Sequence, residues 1–102
     1  MTLTIEVTQE DIDNGQKCDA NYCPIALAVR QTVKNYRQYL SVQPTVMYVD
    51  DGKVIREYKM PAVAEQFVRL FDDDEPVKPF TFTADLKEVY EDREKFLQNT
   101  LQ

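Results

Sequence analysis

Histidine is absent from this 102-residue chain, serine occurs once (Ser41), glycine twice (Gly15, Gly52) and cysteine twice (Cys18, Cys23). Without histidine there is no Ser-His or Cys-His nucleophile and no His-metal site, so a nucleophile would need a lysine or carboxylate as its base. A single serine and two isolated glycines leave no serine elbow and no glycine-rich phosphate cradle. No run approaches the roughly 18 apolar residues of a membrane span. The opening "MTLTIEVTQED" has neither a basic nor a long apolar signal region, so a cytoplasmic protein with reduced thiols is expected. Together these gaps point away from an enzyme and away from a bound cofactor.

What is present is acid. Eighteen Asp and Glu face twelve Lys and Arg, for a net charge of −6. Residues 1–20 carry five acids and one base, residues 24–60 six bases and three acids, and residues 61–102 ten acids and five bases. Such a balance argues against general nucleic-acid binding, which needs clustered cations on phosphates. It suits either plain solubility or a basic surface on another protein.

The hydrophobic share of 43% supports one modest core, and the length one domain. "TLTIEV" alternates Leu3, Ile5 and Val7 with polar residues, the period of a half-buried strand. Thr8 and Asp11 have capping-box spacing for a short helical turn that Gly15 stops. Pro24 suits a first helical position, followed by Ile25, Ala28, Val29, Thr32, Val33 and Tyr36 on one face. Asp51-Gly52 between two β-rich runs marks a hairpin. Pro61 opens a helix striped by Val63, Phe67, Leu70 and Phe71, and "PFTFT" alternates as a strand. A terminal helix is expected from Asp85, capped through Glu88, with Arg93 interrupting its apolar stripe. The order β-α-β-β-α-β plus a helix is that of a ferredoxin-like α+β fold. The division expected is a core over residues 1–84 and a C-terminal helix over 85–102, packed on the core or extending from it.

The stretch "CDANYCPIALAVRQTVKNY" holds both cysteines. Four zinc ligands are not at hand with two Cys and no His, so a site within one chain would need Asp13 or Asp19. Cys23, at a helix N-terminus, has a position that favours thiolate, although the C-x4-C spacing is not the C-x-x-C of dithiol redox motifs. The simplest reading makes Cys23 a small buried residue where the helix meets the core.

Two charged constellations remain. Asp72, Asp73, Asp74 and Glu75 form an acidic turn able to meet a basic partner; on a turn signal, such a run also serves solubility alone. Arg30, Lys34 and Arg37, with Tyr36 beside them for stacking, form a basic helical stripe able to bind a small ligand or an oligonucleotide through its phosphates, or an acidic partner; as a solvated helix face, the same stripe needs no ligand. The acids Glu6, Glu10, Asp11 and Asp13 extend the negative surface at the other end of the chain. A third possibility is a homo-oligomer assembled through the C-terminal helix.

"VTQEDIDNG" and "CPIALA", at Val7, Thr8, Asp11, Ile12, Gly15 and Cys23–Ala28, carry a resemblance. The chain resembles a family of short phage and prophage proteins over about residues 5–36. The resemblance implies a viral accessory protein in a bacterial cytoplasm that binds a host protein, inhibiting a defence complex in the manner of an anti-CRISPR or a nucleic-acid-handling one. It passes on no catalytic residues.

Overall fold

The computed structural model describes residues 1–33 and 39–101. Along the chain run β1 (Thr2–Val7), α1 (Gln9–Asn14), α2 (Pro24–Thr32), β2 (Leu40–Val42), β3 (Val46–Asp50), β4 (Ile55–Lys59), α3 (Ala62–Asp72), β5 (Phe80–Tyr90) and α4 (Arg93–Leu101). The strands form one antiparallel sheet in the order β1-β5-β4-β3-β2, so the fold is α+β. α2 packs against both β1 and β2, the two ends of that order, because the sheet curls around it.

Local chemistry accounts for most element ends. Thr8 caps α1 reciprocally: its hydroxyl accepts the Asp11 N–H at 3.2 Å, and its own N–H donates to Asp11 Oδ2 at 3.0 Å. Gly15 closes α1 and lies so near the Pro24 ring that a Cβ there would come within 2.5 Å of Pro24 Cδ. Pro24 opens α2 after Cys23. The β3–β4 hairpin turns at Gly52, whose φ of 91° favours glycine. Asp51 Oδ1 accepts the N–H groups of Lys53 and Val54 across the same turn.

The main core gathers Ile5, Val7, Ile25, Val29, Met47 and Phe67 with their neighbours on the face that α2 and α3 cover. Phe80 stacks on Phe67 at 4.7 Å. On α3 the buried face is Ala64 and Phe67, whereas Val63, expected on the stripe, is 51% exposed.

Two expectations are corrected. In the ferredoxin-like arrangement the first strand is interior; here β1 stands at the end of the order and the last strand is interior. The reason is the length of β5, whose eleven residues pair with β1 through Phe80–Asp85 and with β4 through Asp85–Tyr90. The helix expected from Asp85 therefore begins at Arg93, and the boundary at residue 84 falls inside a strand. Residues 85–90 satisfy the open edge of β4 and help cover Ile55, which is 0% exposed, and this tertiary pairing overrides the local helical spacing. Asp92 caps α4 instead, accepting the Lys95 N–H at 3.0 Å.

Candidate functional site

The described part of the structure sorts the acids into two populations. The first lies on the sheet face away from α2, where β3, β4 and β5 meet α4. Register places Tyr48 opposite Glu57, and Asp50 opposite Ile55, which in turn faces Tyr90. α4 lays Phe96 over this face, 4.8 Å from Tyr90, 5.4 Å from Tyr39 and 5.5 Å from Tyr48. Beneath it Asp50, 0% exposed, receives a bidentate pair from Arg93 Nε and Nη2, both at 2.7 Å. Glu57, 4% exposed, accepts the Tyr90 hydroxyl at 2.7 Å and pairs with Lys87 Nζ at 3.1 Å. Lys87 is the extra residue of a bulge between the Glu57–Glu88 and Tyr58–Leu86 pairs. Asp51 pairs with Arg56.

The electrostatics follow. The hydrogen bond to Glu57, then burial, pushes the Tyr90 hydroxyl up to about 12. Burial would raise Asp51, but the N–H groups of Val54 and Lys53 and the Arg56 guanidinium outweigh it and hold the carboxyl below its ordinary range. The hydrogen bond to Asp50 raises Arg93. All these groups are committed to one another, so this is a second, polar-seamed core.

The second population is exposed. On β1 and α1 the acids are Glu6, Glu10, Asp11 and Asp13, and neither element carries a lysine or arginine. Asp11 is buried and held by Thr8 and by Gln31 Nε2 at 3.0 Å, while Glu6, Glu10 and Asp13 face solvent. Asp13 accepts only the neutral Gln9 amide.

The acidic turn at Asp72–Glu75 divides between the two roles. Asp72 Oδ1 accepts the Cys18 N–H at 2.9 Å, steadying a residue in the left-handed region at φ 54°. Asp74 pairs with Lys17 Nζ at 2.7 Å, which raises the lysine. Asp73 ends α3, and it and Glu75 remain exposed. Of the four residues read as a partner-binding acidic turn, two therefore tie down the 17–18 loop and two are free to meet a partner.

Both cysteines are free thiols lining one cavity of about 200 Å³, with Asp19, Val42, Pro44 and Asp72 among its walls. Burial raises the Cys23 thiol, opposing the thiolate that the helix N-terminus would favour. Among the described residues no three His, Cys, Asp or Glu side chains are grouped to hold a metal ion. Of the basic stripe, Arg30 lies over the Tyr22 ring at 4.4 Å, and Lys34, Tyr36 and Arg37 fall outside the described residues. No described helix is long and apolar enough to cross a membrane.

Sequence reasoning missed the buried pair Asp50–Arg93 and the Glu57 cluster. The one signal was Arg93 interrupting an apolar stripe, a charge in a position that demands a buried partner. Comparison with family models, curated proteins and solved structures finds no match to this chain.

Proposed function

We propose that this protein is a non-enzymatic binding module that docks its exposed acids onto a basic surface of another protein, as a phage-type accessory protein acting on a host defence or nucleic-acid-handling complex in the bacterial cytoplasm. The observation that carries the reading is the division of charge. Lys17, Arg56, Lys87 and Arg93 are each consumed by an internal acid. Glu6, Glu10 and Asp13 at the β1–α1 end and Glu75 at the acidic turn are exposed and form no ion pair among the described residues, whereas the exposed bases Lys53, Lys59, Arg69, Lys78 and Lys95 lie on other elements. Exposed like charge of this kind steers association and sets salt dependence without adding to the fold.

The test is capture from a nuclease-treated bacterial lysate at low and high salt. Three baits are compared: the wild-type chain, Glu6→Lys/Glu10→Lys and Asp73→Lys/Glu75→Lys. A host protein held at low salt, released at high salt and lost with either reversal is the expected result. Retention indifferent to salt and to both reversals would overturn the reading.

A further inference from the structure

The backbone directions of β1 follow from one hydrogen bond. Leu86 N–H donates to the Met1 carbonyl at 2.9 Å, so Met1 turns its backbone toward β5. In an antiparallel ladder the direction alternates, and Leu3, Ile5 and Val7 therefore point the same way, opposite Ala84, Phe82 and Phe80. Thr2, Thr4 and Glu6 point their N–H and C=O groups away from the sheet. All three residues are exposed, and among the described residues these outward groups have no hydrogen-bond partner.

Among the described residues no proline, lysine or bulge interrupts this edge, whose one charge is Glu6. Soluble proteins blunt edge strands with proline, lysine, bulges or brevity. β1 has six residues, an unbroken register, no proline and no lysine. The far end of the strand order is treated differently: β2 is three residues long, Pro44 follows it closely, and its outward Val42 N–H is taken by the Ala20 carbonyl at 2.8 Å.

We infer that β1 is an acceptor edge, completed by an extended segment of a second protein that adds as a further strand and carries Lys or Arg at alternate positions. The inference rests on the acidic docking proposed above and gives it a backbone. Charge selects the occupant. Glu6 lies on the edge strand and Glu10 and Asp13 on the helix that follows it, β1 and α1 hold no base, and the nearest bases along the chain of β5 are Lys78, two residues before Phe80, and Lys87, which pairs with Glu57. A second copy of this chain, paired antiparallel through β1, would set Glu6 against Thr2 and bring no lysine or arginine to the seam, whereas a basic strand complements the acids. The side-chain alternation sets the pattern: cations beside Thr2, Thr4 and Glu6 on the open face, apolar residues beside half-buried Leu3 and buried Ile5 and Val7 on the core face.

The probe is the blocked peptide acetyl-Lys-Val-Lys-Val-Lys-Val-Lys-amide, with the Glu-Val analogue as control, added to the intact protein. The readout is amide hydrogen exchange by NMR. The Lys-Val peptide is expected to slow exchange at Thr2, Thr4 and Glu6 by about tenfold or more, leaving the already bonded Leu3, Ile5 and Val7 unchanged. Glu6→Lys and high salt are expected to abolish the protection. Unchanged exchange at the three amides, or equal protection by the Glu-Val peptide, would overturn the inference. Protection that appears without peptide and grows with protein concentration would overturn it in favour of a second copy. If the Asp73→Lys/Glu75→Lys bait loses its host protein while these amides never respond, the acidic docking stands and the edge falls.

Discussion

Two regions of the sheet, the β1 edge and the face under α4, use the same residue types for opposite purposes. Where β3 and β4 meet α4, Asp50, Asp51 and Glu57 each have a hydrogen-bonded or cationic partner, and Asp50 and Glu57 are sealed from water. At β1 and α1, Glu6, Glu10 and Asp13 stand in solvent with no base on either element, and only Asp11 is covered. The contrast teaches that acid content says little until each carboxylate is placed. A paired acid sealed under an aromatic lid belongs to the fold, and its loss is felt as instability. An unpaired acid beside an open strand edge costs the fold almost nothing and is available to a partner.

The sharpest way to break this contrast is at the sealed end. Arg93→Met takes the bidentate guanidinium from the buried Asp50 carboxylate and is expected to cost about 3–5 kcal/mol in urea unfolding. The double variant Asp50→Asn/Arg93→Met is expected to recover a large part of that loss, since the penalty comes from stranding one charge. Phe96→Ala, which removes the ring shared by Tyr39, Tyr48 and Tyr90, is expected to cost about 3 kcal/mol.

At the other end the largest structural effect is the helix cap: Thr8→Ala is expected to cost about 1 kcal/mol. Glu6→Lys/Glu10→Lys is expected to move stability by no more than about 0.5 kcal/mol. A large loss there would mean that these acids serve the fold after all.

Titration sharpens the comparison further. The folded state depresses Asp51, so its contribution is complete above the ordinary value of 3.8 and fades as pH falls through the lower folded value. Asp51→Asn is expected to remove that share of the acid loss. Tyr90 works in the opposite sense: its hydrogen bond to Glu57 contributes fully below pH 10 and is lost as pH rises toward about 12. A Tyr90→Phe variant is expected to flatten the alkaline limb of the stability profile.

What the sequence disclosed was local. Thr8 with Asp11, Gly15, Pro24 and Asp51-Gly52 act within a few residues of themselves, and each does in the structure what its spacing implied. What stayed hidden was set by distance. β2 is three residues long, too short to show a period. Residues 85–90 carry helical spacing and become strand because β4 needs a partner. Arg93 meets Asp50 across 43 residues. For the same reason Asp50 and Glu57 could not be told from Asp73 and Glu75: all are acids near turns or alternating runs, and only the curled sheet and α4 decide which are covered. Of the acidic turn, sequence found the patch but not that Asp72 and Asp74 hold the loop at Lys17 and Cys18.

The most direct measurement sets two baits of identical net charge side by side: Glu6→Lys/Glu10→Lys at the open end and Glu88→Lys/Glu91→Lys beside α4. Each is used for capture from the same nuclease-treated lysate at low salt. The expected result is that the first bait loses the host protein and the second keeps it, with both remaining as stable as the wild type. Equal loss from the two would show that net charge alone governs binding, and would contradict the assignment of the β1–α1 end to a partner.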